Sequence, residues 1–463
     1  MALGTGAALP TAQPLLKTEY EQALRNYLKR NCPIWSSISR EGWSTLKTAF
    51  KTHIFAFQKT QGGQFRGVGQ NDENDLDGCE DGPTFGNSTI TYNHFYAPTR
   101  VKEEVFHEAT EGAMGNAFLV TLEDLQKGCL LEFERMMLST TGNAVLFQLD
   151  DAGTDNGDGT WTFSIVNYGG IANQEIGHIV RSLHLERIPL QAASAVGATP
   201  AQPTPRRVIS VDPTLGAETI TVDGDLGDTA GGTPAAAGWV VYRSRVSNGG
   251  VQGADDALRG FPLVIDDGNN GDPFQNVYVL DDSQAQYAPY FKSQVFGDAA
   301  NPITLTEAQL IEMITAAEIN APGDVDDDIR VVRNFFTMHT LVYNAFAATL
   351  LNLRQLTAPT LWGMDGIKPV AGFKRNALTL SGYPCFHSQL HQRNTVYFAD
   401  SEGLCVVHNG PAEGQFVTRG GRREVPVPCT TKTEFLYMIY AQLAARERSR
   451  MCRRDGVLSP DFM

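Results

Sequence analysis

The apolar positions of this chain keep two rhythms, and the longest helical one lies at 121–138, TLEDLQKGCLLEFERMML. Leu122, Leu125, Cys129, Phe133, Met136 and Met137 recur at helical spacing and form one apolar stripe, while Glu123, Asp124, Lys127, Glu132, Glu134 and Arg135 fill the other positions. Thr121 is placed to cap the N-terminus, with Asp124 as its capping-box partner and first-turn acids that suit the helix dipole. Gly142 follows as a stop. A polar excursion precedes this helix and strands follow it, so it reads as a structural spine.

Shorter helical patterns occupy 14–30 (Leu15, Tyr20, Leu24, Tyr27) and 40–53 (Trp43, Leu46, Phe50), separated by Cys32-Pro33. Residues 58–89 are dominated by Gly, Asn, Asp and Gln, with too few apolar side chains to offset the entropy of ordering. TITYNHFY (89–96) and RVKEEVFH (100–107) then predict two strands joined by Ala97-Pro98-Thr99, so 55–108 reads either as an extended β-arm, of the kind commonly stabilised by lying across a neighbouring chain, or as a disordered surface loop.

After the spine, 144–149 and 160–166 predict a hairpin around DDAGTDNGDGTW. Short strands at 207–211, 218–222 and 239–243 make a β-rich subdomain at 175–248, with a small-residue, Pro-rich loop at 191–205. Thr306 and Gln309 open a helix in capping-box style to about Ile319, IRVVRNFF forms a short element, and 341–356 is another helix. The late block reads as strand (LSGYPCFHS), polar connection (QLHQRN), strand (TVYFAD), tight SEG turn and strand (LCVVHNG). The closing VPVPCTTKTEFLYMIY alternates before a basic tail.

Length and charge narrow the reading. At 463 residues and 42% hydrophobic content the chain is long enough for roughly three domains. No apolar run is long enough to span a membrane, and the N-terminal residues do not form a convincing signal peptide. Seven cysteines, scattered singly without a CxxC pair, favour reduced structural thiols over a disulfide framework or a zinc site. The net charge of −15 argues against a surface that grips nucleic acid broadly. Basic clusters stand at the ends (Lys17, Arg25, Lys29, Arg30, Arg40, Lys47, Lys51; Arg446, Arg448, Arg450, Arg453, Arg454), either pairing between copies, touching a polyanion locally, or lying on solvated faces.

The search for chemistry returns no catalytic, cofactor-binding or metal residues. There is no P-loop, no strand–GxGxxG–helix unit and no GxSxG elbow. His107-Glu108 is not part of HExxH, and His387 and His391 share i, i+4 spacing but fall in strand and loop. The Asp cluster at 150–158 lacks EF-hand spacing. The acidic pairs Asp223/Asp225, Asp266/Asp267, Asp281/Asp282 and Asp326–Asp328 sit beside Gly, Pro or strand ends, where Asp serves turns. Asn87-Ser88-Thr89 is a formal glycosylation sequon, without meaning unless the chain is secreted.

The order of parts, together with LRGFPLVIDD, YAPYFKSQVFGD and GFKRNALTLSGYPCFHSQLHQRNTVYFADSEGLCVVHNG, resembles the major capsid proteins of tailed bacteriophages, those sharing the HK97 fold. The resemblance covers most of 15–455 in order of elements, with 382–400 its most specific block. It implies an α+β subunit with an N-terminal arm at 1–54, an extended E-loop at 55–112, and a P-domain at 113–174 and 411–463 carrying the spine helix 121–138. It places a β-rich subdomain or insertion at 175–248 and an A-domain at 249–410. It further implies no enzymatic activity and no cofactor, but self-assembly into hexamers and pentamers of an icosahedral shell. That shell would enclose double-stranded DNA without sequence-specific contact, with scaffolding, portal and possible cement proteins as partners and no membrane. Such a virion is assembled in the host cytoplasm. Lys59 and Lys102 stand in the loop, but no crosslinking motif accompanies them. Two alternatives stay open: an encapsulin-like compartment subunit, and a β-rich carbohydrate-acting enzyme or adhesin.

Overall fold

The structure, a computed structural model, describes residues 44–47, 52–58, 85–91, 93–102, 125, 128–130, 132–138, 145–166, 189–194, 206–212, 219–227, 235–243, 258–267, 292–298, 301–320, 334–355, 368–369, 376–380, 383–388, 390–401, 403–408, 415–416, 425–426, 432–445 and 448–458. The 14–30 helix, the Thr121 cap, the loop at 59–84 and the acidic pairs at 281–282 and 326–328 lie outside them. Helices and sheets are segregated, giving an α+β architecture.

The first described elements are β1 (Ser44–Lys47), β2 (Thr52–Gln58), β3 (Phe85–Thr91) and β4 (Asn93–Lys102). This corrects the helix expected at 40–53. Tertiary pairing overrides the helical spacing there, because β1 lies parallel to a later strand, β18 (Leu404–His408), and THIFAFQ pairs along its whole length with β3. The two strands expected at 89–96 and 100–107 are also redrawn. The chain does not turn at Ala97-Pro98-Thr99, since β4 runs straight through it. Pro98 is tolerated because, among the described residues, β4 is an edge strand paired only with β21 (Lys432–Ala445).

The spine helix α1 is helical at 125, 128–130 and 132–138. Phe133, Met136, Met137 and Leu138 are buried as their spacing predicts, but Glu134 and Arg135 are buried too. The expected polar face is absent at this end because α1 is packed on both sides. Behind it stands the first sheet, whose 14-residue β21 joins β4 on one side and β20 (Val425–Pro426), β19 (Gln415–Phe416) and β18 on the other. Alternation along β21 turns Tyr437, Ile439, Ala441 and Leu443 into the same core as Phe133 and Met137.

In front of α1 lies a seven-stranded mixed sheet, in the order β12 (Gln294–Phe296), β22 (Cys452–Arg454), β17 (Val396–Asp400), β13 (Asn334–His339), β16 (Tyr383–Ser388), β15 (Asn376–Leu380) and β14 (Lys368–Pro369). Its central strands are buried on both faces. Phe335, Phe386, Tyr397 and Ala399 point to the α1 side, joined by the short α2 (Phe261–Val264). Phe336, Cys385, Val396 and Phe398 point to a second core under α3 (Glu307–Asn320) and α4 (Thr340–Gln355). Gln309 Oε1 accepts from the Thr306 amide at 3.0 Å, one half of the expected capping box. The order of layers is therefore helices, mixed sheet, spine, first sheet.

The SEG turn does not close a hairpin. β17 belongs to the mixed sheet and β18 to the first sheet, so the turn carries the chain between layers. A Cβ at Gly403 would come within 2.8 Å of an Asp400 carboxylate oxygen, which explains the glycine at this crossing.

The β-rich region is a separate structure with its own core. Its order is β5 (Val145–Gln148), β11 (Val240–Arg243), β8 (Pro189–Ala193), β9 (Arg206–Asp212), β10 (Thr219–Val222) and β7 (Trp161–Ser164), with β6 (Thr154–Asp155) at the hairpin tip. The two ends then meet: Leu149 bridges Ile165, the Val166 amide donates to Gln148 at 2.9 Å, and the Asp150 amide donates to Ser164 at 2.9 Å. Closure makes a six-stranded antiparallel barrel filled by Phe147, Leu149, Phe163, Leu190, Ile220 and Val241, and it removes the exposed edges an open sheet would present.

Candidate assembly surfaces

Two surfaces stand out among the described residues. The first is the ribbon of β2 and β3, an antiparallel pair in continuous register from Thr52↔Thr91 to Gln58↔Phe85. Among the described residues it joins no third strand, and a two-stranded ribbon alone is at best marginally stable in water. The second is the outer face of the β4–β21 ladder. His94 lies opposite Tyr440 and Tyr96 opposite Met438, so these side chains share the face away from α1. The His94 and Tyr440 rings are 4.5 Å apart, the Tyr96 and Tyr440 hydroxyls are 3.0 Å apart, and Tyr96 is 51% exposed. On the inner face Phe95 meets Phe133 edge-on, which fixes the ladder against the spine.

The polar residues flagged in the sequence go elsewhere. His387 and His391 do not converge: His387 shares a hydrogen bond with Thr340 Oγ1 at 3.2 Å and lies against Tyr343, whereas His391 hydrogen-bonds the Gln392 carbonyl at 2.7 Å and lies against Tyr397. Burial pushes the His391 imidazole down to about 4. The acidic turn is built from local bonds: Asp151 accepts from the Gly153 and Ser164 amides, Asp155 from Gly157, and Asp158 from the amide and hydroxyl of Thr160. Those bonds, the Thr160 hydroxyl first, hold the Asp158 carboxyl below its ordinary value. Asp223 accepts from the Arg207 amide and Asp225 from the Gly227 amide. Among the described residues no three His, Cys, Asp or Glu side chains converge as a metal site would require.

What sequence reasoning missed is the fate of the basic tail. Arg453 and Arg454 are 6% and 5% exposed, inside β22 in the mixed sheet. Arg453 pairs with Asp266 and Asp455, each at 3.1 Å. Burial opposes its charge, but Asp455, Tyr397 and Asp266 outweigh burial and keep the guanidinium protonated. Arg454 pairs with Glu312 of α3. Arg453 and Arg454 thus belong to no free polycationic patch. One signal was available in the sequence: apolar Met451 and Cys452 precede these arginines and Val457-Leu458 follow them. The QLHQRN connection is likewise buried, with His391 and Arg393 fully covered.

No protein-family model matches the chain, and no curated protein sequence is similar to it. Solved structures are. A chain of the cyanophage A-1(L) capsid asymmetric unit is 10% identical with a TM-score of 0.47, covering 97% of this chain and 99% of that one. A chain of the capsid of an empty GTA particle is 9% identical with a TM-score of 0.43, covering 99% and 100%. A chain of the holo-SrpI encapsulin complex from Synechococcus elongatus is 8% identical with a TM-score of 0.40, covering 97% and 95%. All three come from capsids or an encapsulin. At these identities and scores the likenesses assign no family, and function has to be argued from this chain's own residues.

Proposed function

We propose that this protein is a structural shell subunit of the HK97 type, a major capsid protein that assembles with copies of itself into an icosahedral shell around the double-stranded DNA of a tailed phage. The observation that carries this reading is the β2–β3 ribbon, a paired element with no third strand among the described residues, whose stabilising contacts belong on another copy. The described interior is occupied by packed apolar side chains, with Arg448 and Arg453 bonded to backbone carbonyls, which suits a subunit that works through interfaces. A net charge of −15 suits an inner wall past which packaged DNA slides. On this reading hexamers and pentamers form in the host cytoplasm with scaffolding, portal and possible cement proteins as partners, and the product is the virion shell.

The test is negative-stain electron microscopy of the purified protein, alone and together with the products of neighbouring genes, followed by nuclease treatment of any particles. Closed shells or capsomer rings are expected, and nuclease-resistant DNA in particles from infected cells separates a virion from an enzyme compartment. A monodisperse monomer under every condition overturns the reading.

A further inference from the structure

Residues 448–458 touch every layer of the body. They leave β21 of the first sheet through the short 3-10 turn Arg448–Arg450 and enter the mixed sheet as β22, between β12 and β17. Met451 is buried in the core around the spine helix, while Cys452 and Val457 are buried in the core under α3 and α4. The backbone is tied at each step: Gln294 donates to Met451, Asp455 to Phe296, Ile303 to Gly456, Val457 to Asn394 and Leu458 to Ile303.

Two arginines of this segment close around the end of α2. Arg448 donates to the carbonyls of Leu263, Val264 and Asp266, at 3.3, 2.8 and 2.9 Å. Arg453 donates to the carbonyls of Pro262 and Ile265, at 2.8 and 3.4 Å. Five successive carbonyls, 262–266, therefore receive guanidinium protons. An apolar core tolerates small shifts between the elements it joins. Planar five-donor forks aimed at fixed carbonyls do not, because each bond is directional.

We propose that 448–458 is a strap that fixes the placement of the mixed sheet and α3–α4 relative to the spine and the first sheet, with Arg448 and Arg453 as its positioning residues. The strap thereby sets the curvature of the shell. This rests on the shell-subunit reading. A subunit whose two halves are held at one mutual placement confines the interface angles that its hexamers and pentamers adopt to a narrow set, and a narrow set gives one diameter. Lysine in place of either arginine keeps the charge but loses the fork that addresses several carbonyls at once.

The experiment compares wild type, Arg448→Lys, Arg453→Lys, and a core control, Ile439→Val, a buried residue of β21 that takes no part in the strap's hydrogen bonds. Urea midpoints establish how far each is destabilised, and electron microscopy of assembly reactions gives the distribution of particle diameters. Wild type and Ile439→Val are expected to give a single diameter, and the two lysine variants to lose it, yielding broadened or shifted diameters or open sheets. Lysine variants with the wild-type diameter overturn the proposal. So does an Ile439→Val control that loses the diameter as they do, because stability alone would then be responsible. Insoluble lysine variants beside a soluble control also overturn it, since the strap would then be needed for folding and set no angle. If wild type forms no shells, the shell reading itself fails, which is a separate result.

Discussion

His391 supplies a prediction with a definite sign. Its imidazole is fully buried in the connection between β16 and β17, beside Tyr397, with the Gln392 carbonyl as hydrogen-bond partner. Burial lowers its pKa from 6.5 to about 4. The folded protein therefore binds fewer protons than the unfolded chain between these values. The stabilising contribution is fully present above 6.5 and is lost as pH falls toward 4. A shift of this size corresponds to about 3 kcal/mol at neutral pH, of which about 2 kcal/mol is gone by pH 5. The assay is urea unfolding of wild type and His391→Phe at pH 7.5, 6.5, 5.5 and 4.5. The phenylalanine variant keeps the aromatic packing, loses the bond to Gln392 and cannot titrate, so it is expected to be less stable at pH 7.5 and to show a shallower loss on acidification. The two profiles should converge as pH falls. Parallel profiles from pH 7.5 to 4.5 would refute the assignment of this acid sensitivity to His391.

Four further outcomes follow from the structure. Replacing 52–91 by a short turn should leave a soluble, folded subunit but abolish shell formation, because it removes the ribbon that seeks a neighbour. Gly297→Ala should lower stability by about 3 kcal/mol or more in urea unfolding, because Gly297 has φ +79° and a Cβ there would lie 2.2 Å from the Asp455 carbonyl oxygen. Thiol labelling at pH 8 mapped by mass spectrometry should modify the half-buried Cys129 well before Cys452, whose thiol burial pushes up to about 12. Phe163→Ala should cost the barrel about 3–5 kcal/mol in its own unfolding transition, read by proteolysis within 145–243, while leaving the protection of 432–458 unchanged.

Much of this architecture was legible in the chain where one physical signal acted alone. The spacing of Phe133, Met136 and Met137 gave the spine, alternation in TEFLYMIY gave β21, and Asp-Gly turns gave the hairpin tip of the barrel. Legibility failed where distant pairing decided the outcome. Trp43, Leu46 and Phe50 keep helical spacing, yet Ser44–Lys47 is a strand because β18, some 360 residues later, lies beside it. Charge misled for a related reason. Glu134, Arg135, Arg393, Arg453 and Arg454 read as surface, and each is covered because it lies where two layers meet.

Those buried charges show how the body is specified. The two faces of the mixed sheet are lined by interchangeable apolar side chains, Phe335 and Phe386 on one and Phe336 and Phe398 on the other. Apolar packing of this kind fixes burial but tolerates sliding, since volume-conserving exchange in cores costs little. The directional bonds are placed where sliding would do harm: Ser388 to Glu134 at 3.2 Å joins the mixed sheet to the spine, and Arg448 and Arg453 join the strap to the end of α2. Buried charged groups add little net stability over apolar replacements, so their use at these joints is better explained by the geometry their hydrogen bonds enforce. A subunit that must present a narrow set of angles to many identical neighbours needs that geometry more than it needs additional stability.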